Sequence, residues 1–401
     1  MTPSSAPLAL DGVRVVDLSR VLAGPYCGAL LGDLGADVIK VEDPGVGDES
    51  RTWPPHKDGE SAGYLVNNRN KRGIAVNLKE PDGVGIVRRL TASADVLIEN
   101  FRTGTMEEFG LGYETLARDN PRLVYCSVSA FGRTGPRAEG AGYEALMQAF
   151  SGIMSITGEP DGAPVRCGVS FLDLTTGILC AFGVVSALRL RDRSGRGQRV
   201  DGSLLETALG LLNFQAEGFL LAGTVPKALG SAHPSLSPYR NFRCRDGQWV
   251  FIAGANDRLW RRLVGALGLA DMADDPRFAT NAGRVAHMDE TDALVEAWTR
   301  TLGKMEVFAR TKAYRIPCAP VRNAPEVMND PHMHERGMLE RIDHPELGEI
   351  VVPSTPLRLH GTDKVETRPS PTIGQHNSEI YGGWLGLSAA EIEQLRETGA
   401  I

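Results

Sequence analysis

Short β-rich apolar runs alternate with helix-length stretches over the first half of the chain. Val13–Asp17 is the first such run; a loop through Gly24 and Pro25 and a small-residue helix over about Tyr26–Gly32 follow, and Asp37–Val41 is the next run. The pattern repeats with a helix over Gly83–Leu90 and runs at Asp95–Glu99 and Leu123–Val128. Strands separated by helical segments favour a mostly parallel sheet with helices on its faces. Gly, Pro and polar residues dominate from Phe131 to Gly142, which predicts a loop forming an active-site wall rather than a sheet element. From Thr175 the pattern predicts a long helix to about Arg193, a turn at Ser194–Gln198, a strand at Arg199–Asp201 and a helix from Leu204 to about Ala222.

The second half is organised differently. Breakers crowd residues 223–238, which read as a linker; Gln248–Ala253 predicts a strand, and helices are expected over Leu259–Leu267 and Glu290–Arg300. A Pro- and His-rich stretch within 323–345 reads as a second linker, and a C-terminal helix is expected near Ala389–Thr398. The expected organisation is therefore a large domain over 1–222, a smaller domain over 239–322, and a return of 346–401 to the large one. A length of 401 residues fits more than one core.

Composition narrows the class. Apolar residues make up 42% and charged residues 23% of the chain, as in ordinary soluble enzymes. The formal charge of -7 comes with Lys and Arg interspersed among Asp and Glu, so no basic stripe is offered to a nucleic acid. Six cysteines lie scattered without a C-x-x-C pair, which fits free thiols in a reducing compartment. The stretch Met1–Leu10 has no basic n-region, so the cytoplasm is the expected location. The low-charge run Leu174–Leu188 reads as a buried helix too short to cross a bilayer, and no membrane association is expected.

Several mechanisms lose their support. The chain has no G-x-x-x-x-G-K-[ST] loop, no G-x-S-x-G elbow and no H-E-x-x-H helix. His332 and His334 lack matched ligands nearby, so no metal is expected. Glu42 stands where a dinucleotide-binding fold places its ribose-binding acid, but the turn Ser19–Pro25 lacks the three glycines. A nucleotide at the C-terminal ends of the strands remains compatible with the pattern, since that crevice is the general ligand site of open α/β sheets. The basic block Asn67–Arg72 is either a phosphate-contacting edge or a solvated loop. Asn100 and its neighbours follow a strand and should face the crevice. Asp173 sits between an apolar run and a long helix. There it is either an N-cap or a nucleophile whose ionised form the helix end favours.

The motifs then become specific. Asp17–Pro25, Asp33–Glu42 with Gly47, Asp48 and Arg51, Asn68–Arg72, Glu99–Phe101, Gly142–Glu144, Asp173–Gly177 and Ser194–Gln198 resemble, in order, the blocks of the family III CoA-transferases. The branch most similar is that of transferases using succinyl-CoA or related dicarboxylyl donors. The resemblance implies an α/β fold: a Rossmann-like large domain, a smaller α+β domain and an interlocked homodimer. It implies Asp173 as the catalytic nucleophile that passes through an aspartyl anhydride and an aspartyl-CoA thioester while CoA moves from an acyl-CoA to a free acid. CoA is then substrate and product, and no permanent cofactor is needed. CoA-contacting positions are expected at Val21, Leu22, Ala23, Arg51, Arg72, Val76, Lys79, Asn100, Phe101, Arg102, Tyr143 and Glu144, and contacts to the distal carboxylate of the acyl group at His233 and Arg51.

The chain departs from the formyl-CoA:oxalate type. Asp43 and Glu108 stand where that type carries arginines, and Ala232–Tyr239 where it has a glycine lid. Phosphate contacts must then come from elsewhere, with Arg51, Arg69, Lys71 and Arg72 as candidates. The same superfamily holds α-methylacyl-CoA racemases, but Tyr143 occupies the place of their histidine, so two-sided proton exchange lacks its second group. A non-catalytic CoA-binding protein is the third reading.

Overall fold

The structure is a computed structural model that describes residues 7–401. The chain divides into two units. The larger takes the chain up to Ser151 together with Cys167–Ala216 and His334–Ile401; the smaller takes Gly152–Arg166 and Glu217–Met333.

In the larger unit the alternating pattern becomes β1 (Arg14–Asp17), α1 (Ala23–Asp33), β2 (Asp37–Glu42), β3 (Lys71–Ala75), α2 (Pro81–Thr91), β4 (Val96–Glu99) and β5 (Val124–Ser129). After these come α3 (Glu144–Phe150), α4 (Phe171–Ser194), β6 (Arg199–Ser203) and α5 (Leu204–Leu212). The six strands form one parallel sheet in the order β3-β2-β1-β4-β5-β6. Both faces are covered, which is why the strands read as apolar runs without strict alternation. Val16, Ile39 and Leu97 face α2 and the C-terminal segment around Ile380 and Tyr381. Their neighbours Val15, Val38 and Val96 face α1 and α4. The strand order reverses between β1 and β4, so a crevice opens outside the carboxyl ends of those two strands.

Helix α4 carries the site. It packs on α1 where Gly177 has no side chain: a Cβ there would lie 2.6 Å from the Ala23 carbonyl oxygen. Close approach at Gly177 brings the first turn of α4, with Asp173, up to the start of α1.

Two sequence expectations change here. The run read as Leu174–Leu188 is part of a 24-residue helix that is long and apolar enough, by length and composition, to cross a membrane. It is also not wholly buried: Cys180, Ala181 and Val184 pack inward while Ile178, Leu179 and Phe182 are exposed. Apolar residues on both faces hid that division from any periodicity. The helix expected over Leu204–Ala222 breaks at Asn213, whose φ is 43°, into α5 and a second helix, Phe214–Ala222.

The smaller unit holds a three-stranded antiparallel sheet of β7 (Tyr239–Arg243), β8 (Trp249–Ala253) and β9 (Cys318–Pro320), with β8 central. Phe242, Val250, Ile252, Trp260, Leu263, Val295 and Val307 form its core. The C-terminal segment adds an antiparallel pair, Leu339–His344 with Gly348–Pro353, and a helix at Ala389–Glu397.

Candidate active site

A cavity of about 270 Å³ lies at the carboxyl ends of β1, β4 and β5, lined by the loops that follow them and by the starts of α1, α3 and α4. Each loop is fixed by buried polar groups. After β1, Val21 takes φ 73°, a left-handed conformation that is unusual for a β-branched residue. Such strain is of order ~1–3 kcal/mol and persists only when the surroundings hold it. Here both oxygens of Asp48 accept the Val21 N–H, at 3.1 and 3.3 Å. Asp48 is in turn paired with Lys40 at 2.7 Å, both side chains fully buried. Burial alone would raise the Asp48 carboxyl, but the Lys40 charge and hydrogen bond hold it well below the usual carboxylate range.

The loop after β4 is tied to the loop after β1 by Asn100, whose side-chain oxygen accepts from Arg20 N–H (2.8 Å) and whose amide donates to the Arg20 carbonyl (2.7 Å). Arg133, from the loop after β5, donates to both oxygens of Glu99 at 2.7 and 3.0 Å, to Ser127 Oγ at 2.6 Å and to the Phe101 carbonyl at 2.7 Å. Burial pushes the Glu99 carboxyl up, and Arg133 opposes that shift. The Gly- and Pro-rich wall expected at 131–142 is thereby anchored to the sheet by its one buried-facing arginine.

Asp173 lines this cavity from the third position of α4 and is half-buried. It is not the N-cap: that place belongs to Ser170, whose side chain makes no capping bond. Among the described residues the Asp173 carboxylate accepts no hydrogen bond. Burial, and next the charge of Glu144, push its carboxyl up to about 7. The helix end, expected to favour the ionised form, is outweighed by that burial and by Glu144. Glu144 Oε1 accepts from Leu172 N–H at 3.4 Å and from Gln148 Nε2 at 2.6 Å.

Of the expected positions, Val21, Leu22, Ala23, Asn100, Phe101, Arg102, Tyr143, Glu144 and Asp173 line this cavity together. Arg51, Arg72, Val76, Lys79 and His233 are placed outside its lining. Arg51 grips both oxygens of Glu42 at 2.8 Å and lies 3.6 Å over the Tyr64 ring. Arg72 pairs with Asp37 and Glu379, each at 2.5 Å. Val76 is a core residue, and Lys79 is exposed beyond β3. Arg69 pairs with Asp33 at 2.5 Å, and Lys71 with Asp17 at 2.8 Å. His233 belongs to the smaller unit; its Nδ1 accepts from Ser235 N–H at 3.1 Å, which places the ring proton on Nε2.

The cations left for a ligand are others. Arg20 and Arg102 line the cavity, are exposed, and have no carboxylate partner among the described residues. Arg20 lies 4.7 Å over the Phe101 ring. Sequence reasoning passed over Arg20, Glu99, Arg133 and Gln148. Arg20 and Glu99 do lie inside blocks quoted above, so position was the available signal. Among the described residues no group of three or more His, Cys, Asp or Glu is arranged to hold a metal ion.

Comparison with known proteins gives a consistent answer. The profile described as CoA-transferase family III matches residues 10–377. A succinate–glutarate CoA-transferase of Agrobacterium fabrum is 41% identical over 97% of both chains. A succinyl-CoA–D-citramalate CoA-transferase of Chloroflexus aurantiacus is 39% identical over 100% of both. The human succinyl-CoA:glutarate CoA-transferase is 37% identical over 98% of this chain and 90% of its own. Among solved structures, a CaiB/BaiF family protein from Brucella suis superposes with a TM-score of 0.84 at 40% identity, covering 96% of this chain and 100% of that one.

Proposed function

From the premise that the chain belongs to CoA-transferase family III and is a CoA-transferase, we propose that Asp173 is its covalent nucleophile and that a dicarboxylyl-CoA such as succinyl-CoA is its donor. The observation that carries this reading is an unbonded carboxylate at the wall of a crevice that also presents Arg20 and Arg102 without carboxylate partners among the described residues. The carboxylate attacks the thioester carbonyl carbon, the C–S bond breaks, and CoA leaves as the thiolate, giving a mixed anhydride. The thiolate attacks the aspartyl carbonyl and releases the donor acid. The acceptor carboxylate then attacks the aspartyl thioester and expels the thiolate. In the last step the thiolate takes the acceptor's acyl group and restores Asp173. One thioester is broken and one made, so the exchange needs no other energy source.

The strand order supports a Rossmann-like reading of the larger unit, with the CoA nucleotide at the reversal between β1 and β4. Val21–Ala23, Asn100, Phe101 and Tyr143 then contact its body, and Arg20 and Arg102 meet its phosphates. Arg102→Met is expected to raise KM for the acyl-CoA about tenfold, one charge-assisted contact, with kcat little changed. Steady-state kinetics at two salt concentrations check this; an unchanged KM contradicts it.

The donor preference rests on the relatives' names, three of which specify succinyl-CoA or succinate. A panel of acyl-CoA donors and carboxylate acceptors, resolved by chromatography, tests the assignment. Turnover of succinyl-CoA with dicarboxylate acceptors is expected, and strict preference for monocarboxylyl donors contradicts it. The exposed row Ile178, Leu179 and Phe182, the last 71% exposed, supports a homodimer in which a second copy covers this face. Sedimentation reading a monomer at micromolar concentration contradicts that. Six free cysteines, four of them buried, fit a reducing cytoplasm.

A further inference from the structure

We propose that Glu144 and Gln148 are positioning residues for Asp173: one turn apart on the buried face of α3, they hold the backbone amides of Cys167 and Leu172 on either side of the entrance to α4, which fixes the segment that presents the nucleophile and keeps the Leu172 N–H from it. This rests on the reading of Asp173 as nucleophile and adds to it a reason for its reactivity.

An α-helix leaves its first N–H groups without intrahelical partners, and a carboxylate in the first turn ordinarily gains from them. A nucleophile so satisfied would be well stabilised in its ground state and slow to attack. In α4 the first two amides are taken by other groups. The Phe171 N–H turns back to the Val169 carbonyl at 2.8 Å. The Leu172 N–H goes to Glu144 Oε1 at 3.4 Å. Gln148 links the two ends of the clamp: its Nε2 donates to Glu144 Oε1 at 2.6 Å, and its Oε1 accepts from Cys167 N–H at 2.9 Å. Gln148 is fully buried and Glu144 nearly so, at 6% exposure, whereas Asp173 faces the cavity. Two interior side chains of a short helix are thus spent on the six residues, 167–172, that lead into Asp173, and none of their bonds reaches Asp173 itself.

The charge of Glu144 has a second effect. Other charged groups lining the cavity are Arg20, Arg102 and Arg133 from the loops after β1, β4 and β5, and Glu49 and Glu139 from its rim. The elements packed nearest, α1 and α5, present the uncharged Ala23 and Leu204. The charge of Glu144, after burial, opposes the ionisation of Asp173. The carboxylate therefore ionises late, and once ionised it is more basic than an ordinary aspartate and attacks a thioester more readily.

Single-turnover formation of the aspartyl adduct from succinyl-CoA, followed against pH, tests the proposal. In Glu144→Gln the amide oxygen keeps the bonds from Leu172 and Gln148 while the charge is gone. The acid limb of the profile is expected to move down by roughly half a pH unit or more. In Glu144→Ala the clamp is lost, and kcat is expected to fall about tenfold or more with KM for the acyl-CoA nearly constant. Recovery of most of that loss in Glu144→Gln separates positioning from mere folding. A Glu144→Gln profile that overlays the parent's, or a Glu144→Ala defect confined to KM, overturns the inference. Absence of any adduct on Asp173 in the parent chain would instead strike the nucleophile assignment.

Discussion

An Asp173→Asn variant is expected to lose CoA transfer by roughly 10⁴-fold or more, the scale seen when a covalent nucleophile is removed, while binding free CoA about as well as the parent. Asn fills the same volume and leaves the cavity's arginines and loops untouched. The same substitution should not weaken the fold. The Asp173 carboxyl is pushed up to about 7 from its ordinary value near 4, so between those pH values the folded chain binds a proton that the unfolded chain does not. Its stabilising effect is present at low pH and is lost as pH rises through about 7. At pH 8 the folded state thus carries a penalty that Asn removes, a gain of about 1–2 kcal/mol. Denaturant melts at pH 5 and pH 8 measure it. A variant that is inactive because it is unfolded would show the opposite sign, and retained transfer would refute the assignment.

The second large effect is structural. Lys71→Met should destabilise the larger unit by about 3–5 kcal/mol, because it leaves Asp17 buried without its counter-charge. The two side chains are 2.8 Å apart and fully buried. The ammonium also donates to Asn68 Oδ1 and the Pro25 carbonyl, both at 2.8 Å. Burial pushes Lys71 down to about 8 despite its partner, a sign that the charged pair is held at a cost. Asp17→Asn combined with Lys71→Met should therefore recover much of the loss, and the double-mutant cycle reads the coupling. Single variants within about 1 kcal/mol of the parent would show that the pair contributes little. Since Asp17 also accepts from the Ser19 amide at 3.0 Å, the loop carrying Val21–Ala23 should loosen in the single variant before the sheet unfolds.

This pair shows where sequence reading stops. Strand–helix alternation exposed the parallel sheet because both faces of each strand are buried, and the place of Asn100 and its neighbours after a strand pointed to the crevice, whereas Val21–Ala23 and Tyr143 were indicated only by the resemblance. The motif around Asp173 named the residue, and its position beside a helix start was also legible. What the sequence withheld was partnership. Lys71 meets a carboxylate 54 positions away and Arg69 one that is 36 away, so in a basic block that reads as either a phosphate-contacting edge or a solvated loop these two cations are taken by buried partners. Arg51 is taken by Glu42 in the same way. Arg20 looks no different from these in sequence, yet it faces the cavity because its backbone, not its guanidinium, is tied to Asn100. The start of α4 was placed four residues late for a related reason. Its first turn is closed by Glu144, a side chain 28 positions away, rather than by a local cap.

The most direct test is peptide mass spectrometry of the chain after brief incubation with succinyl-CoA and no acceptor. A CoA thioester is expected on the peptide containing Asp173, removed by hydroxylamine and absent from Asp173→Asn. A chain that transfers CoA at full rate with that peptide unmodified, or with the adduct on another residue, would contradict it.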